Sequence, residues 1–186
     1  MCLSAQKNGG SYPQKGGQTI AIYHCTIKVI SRGKGKSAVA AAYRAGEKIT
    51  NQYDGETHDY TRKGGVVHTE ILLPDHAPAA FSDRAVLWNE VEKIEKAKNA
   101  QLAREIEIAL PRELTREQSI SLVQEYVKRH FVAAGMCADI CLHDTGGNPH
   151  AHIRAKGADK SRGQGERHIF PCRSAGHTEG KRGFVR

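Results

Sequence analysis

The chain has 186 residues, enough for one domain with its own core and ragged ends, and carries a formal net charge of +8 with a sequence pI near 9.3. That balance suits a polyanionic partner and says little about fold. No apolar run approaches the ~20 residues of a membrane-spanning helix, the N-terminus lacks a signal peptide's hydrophobic stretch, and the five cysteines (Cys2, Cys25, Cys137, Cys141, Cys172) are odd in number and scattered, which reads as reduced thiols rather than a disulfide framework. A cytoplasmic protein without membrane insertion is expected.

Residues 1–18 are polar and Gly-rich without periodicity and are read as a disordered leader. The domain is placed at 19–155. Residues 20–30, rich in β-branched and aromatic types, predict a first strand, followed by a basic, glycine-punctuated loop with Arg32, Lys34 and Lys36. Ser37 is a suitable N-cap for a helix to about residue 49, with Val39 and Tyr43 one turn apart among alanines. Residues 51–65 read as a polar loop holding Tyr53 and Tyr60. Residues 66–73 predict a second strand, stopped by Pro74.

An amphipathic helix is expected over 78–99, its apolar side carrying Phe81, Ala85, Trp88, Val91 and Ile94, with Trp88 in the core. Residues 103–110 alternate, with Glu105 and Glu107 on one face and Ile106, Ile108 and Leu110 on the other. Thr115-Arg-Glu-Gln118 is a capping box opening a helix with Ile120, Val123, Val127 and Phe131 inward and Gly135 as its C′ residue. A hairpin closes the pattern. After Ile153 the apolar periodicity stops, so 156–186 is read as a basic, disordered tail. The order β-α-β-α-β-α-β-β predicts an α+β fold, a largely antiparallel sheet with helices packed on one face and the polar face available for chemistry.

The hairpin carries the strongest chemical signal. Residues 138–142 place Ile140 and Leu142 on one face, so Cys141 and His143 share the other. Turn-type residues 144–149 reverse the chain, and symmetric closure sets His143 opposite His150 with His152 on the same face. Opposed Cβ atoms lie about 5 Å apart and diagonal ones about 7–8 Å, within reach of one ion. Three imidazoles leave coordination positions open, the catalytic rather than the closed structural arrangement. Two other readings stand beside this: a His-x-His pair arising by chance among ten histidines, and a structural zinc site made of Cys137, Cys141, His150 and His152.

A divalent ion beside a polyanion groove can assist phosphoryl transfer, and Tyr43, directly after the basic loop, is the candidate nucleophile. A packed helix residue is the plainer reading of Tyr43, as a solvated strand face is of Glu105 and Glu107.

From Ala21-Ile-Tyr-His24 to His150-Ala-His152 the chain resembles the N-terminal relaxase domain of the MobA/MobL family, which includes TraA-type conjugative relaxases. The matching pieces are Ala21-Ile-Tyr-His24 with Ser31-Arg-Gly-Lys-Gly-Lys-Ser-Ala-Val39, Ala42-Tyr43-Arg44, Ala103-Arg-Glu-Ile-Glu-Ile-Ala-Leu-Pro111, and Leu142-His143 through Asn148-Pro-His-Ala-His152, with His58-Asp-Tyr-Thr-Arg-Lys63 and Glu70-Ile-Leu-Leu-Pro74 between them. The resemblance implies an HUH-type fold in which Tyr43 cuts one strand at a plasmid origin of transfer and retains the 5′ phosphate. It implies that His143, His150 and His152 hold a divalent metal ion (Mg or Mn, or else Ni, Co or Zn), and that Glu105 serves as a metal-shell or base residue, with Glu107 the weaker acidic candidate. Arg32, Lys34, Lys36 and Arg44 would contact single-stranded plasmid DNA, with accessory relaxosome proteins and a coupling protein as partners.

Against the family pattern the segment from Ser37 to Tyr43 is one residue short, which would turn the tyrosine by about 100° on an α-helix. The last strand is expected to end soon after Ile153, and the chain is read as a truncated form of such a domain. The alternative function is a catalytically inert single-stranded-DNA-binding remnant; a third reading is a zinc-stabilised interaction module.

Overall fold

The computed structural model describes residues 24–34 and 36–157; the reading of a disordered leader over 1–18 lies outside the described residues, as does that of a tail over 156–186 except at Lys156 and Gly157. In chain order the elements are β1 (Cys25–Ser31), α1 (Ala41–Ala45), β2 (Lys48–Thr50), β3 (Thr57–Asp59), β4 (Val66–Leu72), α2 (Arg84–Ile94), β5 (Gln101–Ala109), α3 (Arg116–Val127), β6 (Met136–Asp144) and β7 (Pro149–Gly157). Five strands form one sheet in the order β1-β5-β7-β6-β4, every neighbouring pair antiparallel, and β2 pairs with β3 alone.

Period-2 alternation gives this sheet two unlike faces. One presents Ile106, Ala138, Ile140, Leu142, Ala151 and Ile153, and α3 closes it with Val123 and Val127. The capping box opens α3 as the sequence implies: the Thr115 side chain accepts from the Gln118 N–H, and the Gln118 side chain accepts from the Thr115 N–H at 2.8 Å. The helix runs on through one π turn, Lys128–Val132, before Gly135.

The expectation of helices on one face describes α3. The opposite, polar face is also covered, at its far end, by α1, the turn before it and α2, through Val39, Ala42, Leu87, Trp88 and Val91. Its buried charges are paired rather than solvated. Asp139 accepts from Arg84 Nε and Nη2 at 2.9 Å and from Trp88 Nε1 at 2.9 Å, and Arg84 also bonds Glu47. Lys156 donates to Glu95 at 2.6 Å.

Four local expectations are corrected. The helix expected from Ser37 is only α1, which begins at Ala41 without a side-chain cap, so Ser37 is not its N-cap, and ends because the chain reaches the left-handed Gly46 (φ 68°) and turns into β2. The loop at 51–65 contains β3. The helix over 78–99 splits: a 3₁₀ turn at Ala79–Ser82 ends at Asp83, whose extended backbone lets its side chain cap α2 through the Val86 N–H. Finally, β7 does not stop at Ile153 but continues to Gly157, because Arg154 and Lys156 find carboxylate partners on the polar face.

Replacing Asp139 by Ala strands the buried Arg84 guanidinium and the Trp88 N–H. A loss of about 3–5 kcal/mol in unfolding free energy is expected from urea denaturation; a loss below about 1 kcal/mol would contradict the assigned role of this cluster.

Candidate metal and nucleophile site

The β6–β7 register sets His143 opposite His150 and Cys141 opposite His152. The loop between them, residues 145–148, holds Gly146 and Gly147 at φ 63° and 72°, a pair of left-handed positions that only glycine adopts at little cost. Gly65 packs against this turn so closely that a Cβ there would lie 2.5 Å from Thr145 Cγ2.

The three imidazoles converge, with ring centroids 4.8–5.3 Å apart and one nitrogen of each within 4.8 Å of the others. Two rings have a nitrogen tied to backbone: His143 Nε2–H donates to the Arg44 carbonyl at 2.6 Å and His150 Nδ1–H to the Asn148 carbonyl at 2.8 Å. Such bonds fix the tautomer and leave the opposite nitrogen's lone pair for a metal. His152 Nδ1 is buried without a hydrogen-bond partner, 3.8 Å from the Glu107 carboxylate. Burial, with Arg44 and His143 beside it, pushes His152 down to about 3, and burial likewise lowers His143. Neutral imidazoles are what a divalent ion requires, so these residues fit one.

The cysteines of the zinc alternative do not join the histidine cluster. Cys141 Sγ lies 3.8 Å from Asp139 Oδ1, and burial, then the Asp139 charge, hold its thiol up. Cys137 pairs with Lys156 well back from the turn, and burial pushes its thiol up to about 11. Among the described residues the cluster contains the three histidines and no cysteine.

Strand pairing puts Glu105 and Glu107 on the histidine face, Glu107 opposite His152 and Glu105 opposite Arg154. Glu105 does not join the histidines. It is 4% exposed and bridges two guanidiniums, Arg44 at 2.8 Å and Arg154 at 2.8 Å. Burial alone would raise its carboxyl; the Arg154 charge and the bonds from Arg44 and Arg154 overcome it, holding the group at about 2. Glu107 is the carboxylate beside the cluster.

Tyr43 is 45% exposed on α1. The N–H groups of Ala41, Ala42 and Tyr43 bond carbonyls three residues back, at 3.0–3.2 Å. A 3₁₀ turn advances about 120° per residue against about 100° in an α-helix, so each such step recovers about 20° of the roughly 100° by which the missing residue would turn the tyrosine. Tyr60 packs edge-on against the Tyr43 ring at 5.1 Å, Lys63 Nζ sits 4.0 Å from its centroid and the Arg44 guanidinium 5.3 Å away. Because Arg44 also bonds His143 through its carbonyl, the tyrosine's neighbour is stitched directly to the histidine cluster.

A groove of about 670 Å³ opens from Tyr43, lined among others by Lys28, Lys36, Tyr53 and His58; none of the cluster histidines lines it. Lys34 and Lys36 are exposed. Arg32 is not free as expected for a phosphate contact: it donates to Glu92 Oε2 at 2.6 Å and to the carbonyls of Glu92 and Glu95 at the end of α2, with Tyr53 stacked on it. Arg44 is largely engaged by Glu105. Sequence reasoning missed Arg154, whose signal was its place two residues past His152 on the same face, and Lys63, which carries no periodic signal.

An antiparallel sheet with paired histidines and an adjacent tyrosine is the HUH relaxase fold. A solved chain described as "Molecular Basis of Vancomycin Resistance Transfer in Staphylococcus aureus" matches with a TM-score of 0.74 at 36% identity, over 83% of this chain and 78% of that one. Residues 36–157 match the MobA/MobL family. The chain is 46% identical over 145 residues to a conjugal transfer protein TraA of Agrobacterium fabrum, covering 72% of this chain and 13% of that protein, and 51% identical over 125 residues to a mobilization protein MobL of Acidithiobacillus ferridurans, covering 67% and 32%. It therefore belongs to the MobA/MobL family, spanning a minor share of these relatives' length. No described helix is long and apolar enough to cross a membrane.

Two measurements check the site. Calorimetric titration with Mn²⁺ and Zn²⁺ should show His150→Ala, at the most exposed ring of the cluster, weakening binding about 100-fold or more, while Cys137→Ser and Cys141→Ser leave it intact. Glu105 has a carboxyl lowered on folding, so its contribution is present above its unfolded value of about 4.3 and lost as pH falls through about 2. Glu105→Gln should cost about 3 kcal/mol at neutral pH, a deficit that narrows between about pH 4.5 and 2 in urea unfolding series.

Proposed function

We propose that this chain is the strand-cleaving and strand-transferring part of a conjugative or mobilisation relaxase. The observation that carries the reading is the junction of two sites, in which a three-imidazole metal cluster is bonded through His143 to the carbonyl of the residue following an exposed tyrosine. Membership of the MobA/MobL family supports it.

In this reading the Tyr43 phenolic oxygen attacks the scissile phosphorus as the bond from phosphorus to the 3′ oxygen breaks. The phenolic proton passes to solvent, the departing 3′ oxygen takes up a proton, and the 5′ phosphate stays on Tyr43, conserving the ester for rejoining. A divalent ion bound by His143, His150 and His152 (Mg or Mn, or Ni, Co or Zn) would polarise a phosphoryl oxygen and stabilise developing charge. Glu107, whose carboxylate lies 3.8 Å from His152 Nδ1, would steady that ring on closer approach. Glu105 acts neither as base nor as ligand but holds Arg44, and with it α1, against the sheet. Lys28, Lys34 and Lys36 contact the backbone of single-stranded plasmid DNA at the origin of transfer, and the groove beyond Tyr43 takes one arm of that strand. Accessory relaxosome proteins, a coupling protein and a cytoplasmic setting belong to the same reading.

The test is incubation of the chain with labelled single-stranded origin-of-transfer oligonucleotides and Mn²⁺ or Mg²⁺. An SDS-stable adduct is expected, abolished in Tyr43→Phe and reduced at least about 100-fold in His150→Ala, with affinity falling steeply as salt rises. Salt-sensitive binding by a metal-loaded chain with no adduct would replace this reading with that of an inert binding remnant.

A further inference from the structure

We propose that Lys63 is a positioning residue for the Tyr43 nucleophile, an inference that rests on the relaxase reading: its ammonium fixes the tyrosine on α1 and keeps positive charge against the ring as the phenolic oxygen gains negative charge.

Lys63 follows β3, and its backbone N–H bonds the Tyr60 carbonyl at 2.9 Å, a turn that returns the side chain over α1. Nζ donates to the Tyr43 carbonyl at 2.8 Å and lies 4.0 Å from the Tyr43 ring centroid. One ammonium therefore grips both the backbone and the face of the same residue. No carboxylate pairs with it among the described residues. Its charged neighbour is Arg44, a second cation, and Glu105 behind Arg44 is already shared between two guanidiniums. Burial and then Arg44 lower the pKa of Lys63, so the ammonium is held where its charge is disfavoured. A surface lysine with only a solvent-facing role would extend into water instead.

The groups facing the Tyr43 ring are Arg44 from its own helix and Tyr60 and Lys63 from the segment after β3. Tyr60 abuts the ring edge-on, at an interplanar angle of 88°, and limits its swing. A cation over an aromatic face interacts more strongly as the ring becomes electron-rich, which is the change that ionisation of the phenol brings. The interaction is thus stronger in the transition state than in the ground state, the condition for accelerating the step rather than merely tightening binding.

The experiment compares single-turnover adduct formation by wild type, Lys63→Met and Lys63→Arg from about pH 6 to 9, with oligonucleotide affinity measured in a Tyr43→Phe background and thermal melting to confirm folding. Lys63→Met should slow adduct formation about 10–30-fold, move the rising limb of the pH profile up by about one unit, and leave affinity within about threefold. Lys63→Arg should recover most of the rate. The inference is overturned if Lys63→Met reacts like wild type, if an equal loss of affinity accounts for the slower rate, or if the rate falls with an unmoved pH profile and no recovery in Lys63→Arg. A wild-type chain that forms no adduct overturns the relaxase reading and this inference with it, whereas an adduct indifferent to Lys63 overturns this inference alone.

Discussion

The register of β6 against β7 is the constraint on which the rest of the structure depends. Side chains alternate with a period of two, so a slip of one residue would carry the β6 histidine to the α3 face and drive Leu142 and Ile140 into the polar layer. The four-residue turn with two left-handed glycines pins that register, and Gly65 lets the start of β4 close over it. Once it is fixed, four rungs follow in order along the polar face: His143 with His150, Cys141 with His152, Asp139 with Arg154, and Cys137 with Lys156. The first two hold the histidine cluster and its immediate surroundings; the next two hold the charges that attach the helices.

Those charges explain how so short a helix as α1 stays in place. Five residues cannot form a stable helix alone, and α1 has no side-chain N-cap. Its alanines are buried, but small residues contribute little apolar area each. The stronger restraints are directional: Arg44 to Glu105, the Arg44 carbonyl to His143, and the Tyr43 carbonyl to Lys63. Arg154 completes the arrangement by bonding Glu105 on one side and the Ala38 carbonyl, just before α1, on the other. A buried ion pair is weak support for stability but strong support for position, since either partner left alone is heavily penalised. Here the positioned element is the one that carries the tyrosine.

Much of this was legible in the sequence, for definite reasons. The capping box at Thr115 is a local signal, readable because its partner lies three residues away. The hairpin was legible because turn residues separate two period-2 segments, and that same period put Glu105 and Glu107 on the histidine face. What the sequence hid were partners far along the chain. Glu105 and Glu107 look alike in alternation, yet one meets two arginines and the other a histidine, a difference decided by the lateral offset of β5 against β7. Arg32 reads as a basic-loop phosphate contact until α2 ends against it, where the unsatisfied carbonyls of a helix C-terminus favour a cation. Arg154 and Lys156 read as the start of a basic tail because the carboxylates that draw them into β7, Glu105 and Glu95, lie 49 and 61 residues away.

The two halves of the site differ in rigidity, and the difference bears on the proposed cleavage and rejoining, which would have to run forward and back. The histidines sit on two interior strands, β6 and β7, each paired on both edges, where opening requires breaking the sheet. Tyr43 sits on one helical turn held by a handful of polar contacts, with its side chain facing an open groove. Cleavage demands that the tyrosyl oxygen approach the phosphorus in line with the departing 3′ oxygen, and rejoining demands the reverse geometry with a hydroxyl returning from the other side. In the proposed reaction a rigid three-histidine site would serve both steps unchanged, because its ligands are fixed in the sheet. In that proposal the tyrosine is the part that must yield, and the fold places it on a short element anchored apolarly by small alanines and otherwise held by polar tethers, so that its motion is limited in direction without being prevented.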